Sequence, residues 1–252
     1  MIARDWDAAT YDRVSGPQVA WARGVLDRLA LNGDETVLDA GCGSGRVTQM
    51  LAERLPRGRV IAVDAAPSMV HEARAKLGEA VEVRQVELTA LDLDAEVDAV
   101  FSNAVFHWVG DHDALFARLH AALRPGGRLV AQCGGAGNVQ RFHDVAREVA
   151  ARDLFAEHLA GWHGPWKFAT PADAAQRLER AGFEAVECDL EPRPVHPPEP
   201  RTYIATVCLG HHLERLPENL RQSFVEQVAE GCGEPLELDY VRLNILARRP
   251  PA

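Results

Sequence analysis

The 252-residue sequence lacks the features that mark a membrane protein, a disulfide-stabilised fold or a metal site. No window reaches the roughly 18 apolar residues of a membrane span, and the first residues lack the apolar core of a signal peptide. The five cysteines are scattered singly with no C-x-x-C pair, so neither a disulfide framework nor a zinc site is indicated. We therefore expect a cytoplasmic protein with reduced thiols and no bound metal.

Positive charge is also scarce. The sequence has 27 Lys and Arg against 37 Asp and Glu, which gives a formal net charge of −10. Proteins that bind nucleic acids through their phosphates depend on many basic side chains, so this balance argues against such a partner. A small-molecule substrate fits better, while the oligomeric state is not indicated. The 47% of apolar residues is enough for a full core.

The most informative segment is the ten-residue run VLDAGCGSGR at residues 37–46. An apolar strand pattern is followed by glycines at 41, 43 and 45, and Asp39 comes two residues before the first of them. Glycine permits positive φ angles and close approach of a ligand, and the following helix would direct unpaired N–H groups at it. The spacing is G-x-G-x-G, whereas the dinucleotide fingerprint would place its third glycine at position 46.

A second acidic residue follows at the distance expected for a βαβ unit. The apolar run at residues 60–63 ends in Asp64, 23 residues after Gly41. A carboxylate at the end of the second strand can accept hydrogen bonds from both hydroxyls of a ribose. Pro67 suits the first position of the next helix. Together these elements predict a site for a nucleotide-like ligand.

The rest of the chain alternates between strand and helix signals, which predicts an α/β fold with a doubly wound, mostly parallel sheet. The last strand follows without a crossover helix, so it can pair antiparallel with its predecessor. Strands are predicted near 36–40, 59–64, 80–86, 97–102, 128–133, 183–190 and 236–247. Helices are predicted near 45–55, 67–77, 112–123, 172–181 and, after several prolines, over 201–230.

These motifs resemble those of the class I S-adenosylmethionine-dependent methyltransferases over nearly the whole chain. The run SNAVFHWV at residues 102–109 is similar to the fourth-strand motif of the trans-aconitate methyltransferase group. The segment WDAATY at residues 6–11, together with Gln18, resembles the capping segment of that group and of the malonyl-carrier methyltransferases. The resemblance implies a seven-stranded Rossmann-like methyltransferase fold, S-adenosyl-L-methionine as cofactor and a small-molecule acceptor.

The resemblance also implies which residues bind the cofactor. Glu87 stands where such families usually have Asp, and its longer side chain would meet the exocyclic amine of the adenine. The acids Asp39 and Asp64 would hold the amino group and the ribose respectively. The full implied set is Gln18, Asp39, Gly41, Gly43, Asp64, Ala65, Met69, Glu87, Leu88 and Asn103. Met69 and Leu88 have the alternative of being ordinary core residues.

Methyl transfer depends chiefly on holding the reactants in line and excluding water. A carboxylate acceptor needs no base, whereas an alcohol, phenol or carbon acid would need one. His107 is the candidate catalytic residue in that second case, although His107-Trp108 has the alternative of being a packed corner. The predicted substrate pocket comprises Tyr11, Trp108, Trp162, Trp166 and Tyr203.

The domain organisation follows from the same elements. We expect N-terminal capping helices at 1–33, a cofactor-binding core at 34–137 and helical cap insertions at 138–170 and 195–232. The remaining core helix and strands fall at 171–194 and 233–252. Two other functions stay open on the sequence alone: a nicotinamide-dependent oxidoreductase with similar architecture, and a methyltransferase-like binding protein without turnover.

Overall fold

The computed structural model describes residues 10, 13, 16–94 and 96–252, and it contains a seven-stranded sheet in the order β3-β2-β1-β4-β5-β7-β6. The strands are β1 (Thr36–Ala40), β2 (Arg59–Asp64), β3 (Glu82–Gln85), β4 (Val97–Asn103), β5 (Leu123–Gly134), β6 (Glu184–Pro192) and β7 (Val241–Arg248). The strand order reverses beside β1. Ligands of open α/β sheets bind at such a reversal, beyond the carboxyl ends of the strands.

Strands β1 to β5 are parallel to one another, and β7 pairs antiparallel with both β5 and β6. The predicted fold class is therefore confirmed, including the antiparallel final strand. β7 begins at Val241, five residues later than predicted from the alternation that starts at residue 236. Leu238 instead forms an isolated antiparallel bridge with Val195, outside the sheet.

Ten helices flank or cover the sheet in the part of the chain that the structure describes. They are α1 (Gly16–Arg28), α2 (Arg46–Glu53), α3 (Pro67–Leu77), α4 (His112–Ala122), α5 (Gln140–Ala150), α6 (Asp153–Leu159), α7 (Pro171–Arg180), α8 (Pro200–Tyr203), α9 (Gly210–Arg215) and α10 (Glu218–Cys232). Sequence signals account for several starts. Pro67 opens α3, and the side chains of Asp111 and Thr170 accept hydrogen bonds from backbone N–H groups in the first turns of α4 and α7.

The helical stretch predicted over 201–230 is interrupted. A π-helical turn over Ile204–Cys208 follows α8, and Leu216 and Pro217 separate α9 from α10. Proline cannot continue a helix because it lacks the N–H and clashes with the preceding turn. The stretch therefore folds back on itself instead of running straight.

The helices α5, α6 and α8 to α10 pack together around their own apolar cluster, which includes Phe142, Phe155, Tyr203 and Phe224. This cluster forms a cap, and separate apolar clusters lie against the sheet. No helix among the described residues is long and apolar enough to cross a membrane. The predicted pocket residue Tyr11 lies outside the described residues, and the predicted domain boundaries stay predictions.

Candidate active site

A cavity of about 520 Å³ lies beyond the carboxyl ends of β1, β2 and β4, with the cap on its far side. Its size is within the range of small-molecule sites. All ten predicted cofactor-binding residues line it, as do His107, Trp108 and Trp166 from the predicted catalytic and substrate sets. The cavity is therefore the candidate active site, although the individual roles of these residues stay predictions.

The glycine loop turns tightly at the end of β1. Gly41 has φ +91°, and a Cβ atom added there would lie only 2.3 Å from Cγ2 of Val105. The backbone N–H groups of Gly41 and Cys42 both donate to the carbonyl oxygen of Val63, at 2.8 and 2.9 Å. Position 41 thus requires glycine for two independent reasons, its dihedral angle and the close neighbour.

Asp64 ties the ends of the two neighbouring strands together. Its Oδ2 accepts a hydrogen bond from the N–H of Gly43 at 2.9 Å, and its Oδ1 accepts one from the N–H of Ala66 at 2.9 Å. Each carboxylate oxygen retains a second lone pair, so both can still accept a bond from a ligand hydroxyl. Burial raises the pKa of this carboxyl, while the two backbone donors act to lower it.

Asp39 is fully buried below the loop. The hydroxyl of Thr48, on α2, donates a hydrogen bond of 2.7 Å to its Oδ2. Burial raises the pKa of Asp39 to about 7, and the nearby charge of Asp64 acts in the same direction. A cationic group bound beside the loop would favour the ionised carboxylate and lower this pKa.

Gln18 and Asn103 meet on the side of the cavity that faces α1. Asn103 Nδ2 donates to the backbone oxygen of Gln18 at 3.1 Å, which attaches the helix to the end of β4. The side-chain oxygens Gln18 Oε1 and Asn103 Oδ1 are buried, and neither has a hydrogen-bond partner among the described residues. Buried acceptors of this kind are costly unless a ligand supplies donors. An ammonium group would satisfy both.

Two predicted pocket residues lie behind the cavity wall and do not line it. The hydroxyl of Tyr203 accepts a hydrogen bond from Gln18 Nε2 at 2.9 Å and lies 2.9 Å from the hydroxyl of Tyr240. Trp162 packs edge-on against His212 at 4.6 Å between ring centroids. Both aromatic side chains belong to the apolar cluster of the cap, so an aromatic residue in this part of the chain does not by itself indicate the pocket.

His107 is held in one tautomer by the backbone. Its Nδ1 accepts a hydrogen bond of 3.2 Å from the N–H of Gly134, and burial holds its pKa well below the usual value. A neutral imidazole that accepts at Nδ1 carries its proton on Nε2. His107 in this state offers a donor at Nε2 and has no free lone pair there, so it is poorly arranged to act as a general base.

Sequence reasoning missed Arg242, which lines the cavity from β7 and is only 2% exposed. Its guanidinium carbon lies 4.7 Å from the centre of the Trp21 ring, a cation–π contact with α1. One signal was available: Arg242 and Asn244 are polar residues two apart in the first half of a strand whose next three residues, 245–247, are apolar. Side chains two apart share a face of a sheet, so the pair indicates a polar face at the strand's start.

The comparisons with known proteins agree with this geometry. The family described as "Methyltransferase domain" matches residues 37–127, which include the glycine loop and most of the first four strands. The chain is 35% identical over 187 residues to a trans-aconitate 2-methyltransferase of Methylobacterium nodulans, covering 74% of this chain and 67% of that protein. A protein of the same name from Acidovorax sp. is 28% identical, covering 98% of this chain and 99% of its own length.

A solved structure has the same fold. Phosphoethanolamine N-methyltransferase 2 of Haemonchus contortus, in complex with S-adenosyl-L-methionine, matches with a TM-score of 0.64. The match covers 97% of this chain and 57% of that one at 17% sequence identity. At this level of identity, the likeness concerns the architecture and not the acceptor.

Proposed function

The chain belongs to the family of S-adenosylmethionine-dependent methyltransferases that includes the trans-aconitate 2-methyltransferases, and we propose that it esterifies a carboxylate of a small organic acid. Its cofactor is S-adenosyl-L-methionine and its acceptor is a small molecule. The nicotinamide-dependent alternative is thereby set aside. What we infer is the chemical nature of the acceptor group, a carboxylate.

The observation that carries the proposal is the buried guanidinium of Arg242 in the cavity wall. A guanidinium binds carboxylates in a fixed, planar geometry, and its hydrogen bonds to a carboxylate are strong because both groups are charged. The protein as a whole is acidic, with a net charge of −10, so a cation at this position is a local feature and does not follow from the overall composition.

The tautomer of His107 supports the same acceptor. An alcohol, phenol or carbon acid must lose a proton to become a nucleophile, and His107 presents a donor rather than a base. A carboxylic acid is already ionised at neutral pH. A cavity that supplies a guanidinium and no well-placed base therefore suits an acceptor that arrives as an anion.

The residues near the glycine loop fit the cofactor. The unpartnered acceptors Gln18 Oε1 and Asn103 Oδ1 and the carboxyl of Asp39 suit its ammonium group, and Asp64 suits the ribose. When bound, S-adenosylmethionine supplies a methyl carbon that a carboxylate oxygen can attack, with the electron pair of the broken C–S bond left on sulfur and no proton transferred. The chain's own part is to hold the acid against Arg242 and to exclude water.

A labelling experiment tests the proposal. The protein is incubated with methyl-deuterated S-adenosylmethionine and a set of carboxylic acids, each paired with its primary alcohol and its amide. We expect the label in methyl esters of acids only, identified by mass spectrometry and by loss of the labelled methyl group as methanol on mild alkaline hydrolysis. Labelled ethers or N-methyl amides without labelled esters would contradict it, and no labelled product at all would favour the binding protein without turnover.

A further inference from the structure

Six ring-bearing side chains surround the part of the cavity that lies away from the glycine loop. We call them the aromatic wall: His107, Trp108, His143, Trp166, Phe168 and His211. Trp166 is at its centre. Its ring is nearly parallel to that of Phe168, at 6° and 6.5 Å between centroids, and lies 4.6 Å from His143 and 6.0 Å from Trp108. Rings at these separations contact one another, so they form a continuous aromatic surface against which a flat guest can pack.

The imidazoles of this wall add little positive charge. Burial lowers the pKa of His143 to about 4 and holds that of His107 well below its usual value, so both are neutral at pH 7. His211 Nδ1 lies 3.4 Å from the Glu214 carboxylate, which balances any charge on that ring. The histidines therefore act as polar rims of an aromatic surface and not as a second anion site.

Arg242 is the only buried cationic side chain among the lining residues that the structure describes. The other lining arginine, Arg46, is exposed and begins α2 beside the glycine loop. One buried guanidinium can compensate at most one carboxylate of a ligand. Any further carboxylate of an acceptor would have to leave water for the neutral aromatic wall, and an uncompensated buried charge is strongly unfavourable.

From this distribution of charge and rings we propose that the acceptor is an aromatic monocarboxylic acid, with its carboxylate at Arg242 and its flat, unsaturated body against the aromatic wall. The inference rests on the proposed esterification and names its substrate class. It separates this chain from the relatives whose name gives trans-aconitate as the acceptor, because that compound carries three carboxylates on a small unsaturated skeleton.

Three acids test the proposal by kcat/KM. trans-Cinnamate has one carboxylate and a flat body, 3-cyclohexylpropanoate has one carboxylate and a puckered body, and trans-aconitate has three carboxylates. We expect trans-cinnamate to exceed each of the other two by at least about tenfold, a typical discrimination for a pocket that must match shape and charge. Equal values, or a preference for either of the others, would overturn the substrate class while leaving carboxylate methylation intact. Absence of any ester would overturn both.

A substitution in the aromatic wall provides a second readout. His143→Arg places a second cation among the rings, so the ratio of kcat/KM for trans-aconitate to that for trans-cinnamate should rise at least about tenfold. The matched control is His163→Arg, at an exposed residue that does not line the cavity, and it should leave the ratio unchanged. Melting temperature and cofactor affinity show whether each variant is folded. A folded His143→Arg protein with the original ratio would contradict the assigned role of the aromatic wall.

Discussion

Removing the guanidinium of Arg242 is the most direct perturbation of the proposed acceptor site. Arg242→Met keeps an unbranched side chain of similar length, so the contact with Trp21 is replaced by packing of a thioether against the ring. The charge and all five N–H donors disappear. Because the side chain is buried, loss of the charge also removes a desolvation penalty, and we expect the fold to tolerate the change.

The size of the effect follows from the bonds lost. Hydrogen bonds to a charged group contribute about 1.5–3 kcal/mol, which corresponds to a fall of roughly 10- to 150-fold in kcat/KM for the acid. Loss of the cation–π contact should lower the free energy of unfolding by about 2 kcal/mol, the magnitude of a desolvated contact. We place the cofactor at the glycine loop and not at Arg242, so we expect its affinity to change by less than about 0.5 kcal/mol.

The assay combines steady-state kinetics with the acid found by labelling and calorimetric titration of the cofactor. Arg248→Met is the matched control, because Arg248 is in the same strand, points to the same face and is exposed at the other end. We expect the control to retain normal kinetics. If Arg242→Met is folded, binds the cofactor and esterifies the acid at the normal rate, the carboxylate is not held at Arg242 and the proposed function loses its main support.

Three further predictions concern the residues around the loop and the cap. Asp64→Ala should weaken cofactor binding by about 1.5–3 kcal/mol in calorimetry, and unchanged affinity would remove Asp64 from the site. Asp39 holds its proton up to about pH 7 in the native state but only to about pH 4 when unfolded. The free energy of unfolding should therefore fall as the pH rises from about 4 to about 7. Asp39→Asn should flatten that slope, measured by urea titrations at several pH values. Tyr203→Phe should raise the KM for the cofactor by about tenfold or less, since it removes one hydrogen bond from Gln18. In the same comparison, Trp162→Ala should lower the melting temperature because the ring packs within the cap. A normal melting temperature with a slower reaction on the acid would return Trp162 to the substrate pocket.

The part of the cavity around the glycine loop could be predicted from the sequence because its signals are local. A strand, a glycine turn and a helix follow one another within residues 36–53, and the strand that ends at Asp64 is likewise followed by a helix. Parallel strands bring their carboxyl ends to one edge of the sheet, so residues far apart in sequence meet without any further assumption. The position of Glu87 follows in the same way, from the end of the next strand.

The part of the cavity that we assign to the acceptor could not be predicted in this way, because its residues come from segments whose contacts are set by tertiary packing. Trp162 and Trp166 are both large aromatics in the same irregular segment, and only the packing of the cap decides that Trp166 faces the cavity while Trp162 contacts His212 behind it. The place of Arg242 in the cavity was still harder to predict from the sequence. It reaches the site only because β7 runs antiparallel, which places its beginning, and not its end, at the edge where the parallel strands finish. A search limited to the carboxyl ends of strands omits that position, so in folds with a reversed last strand the polar residues at its amino end belong among the candidates for substrate binding.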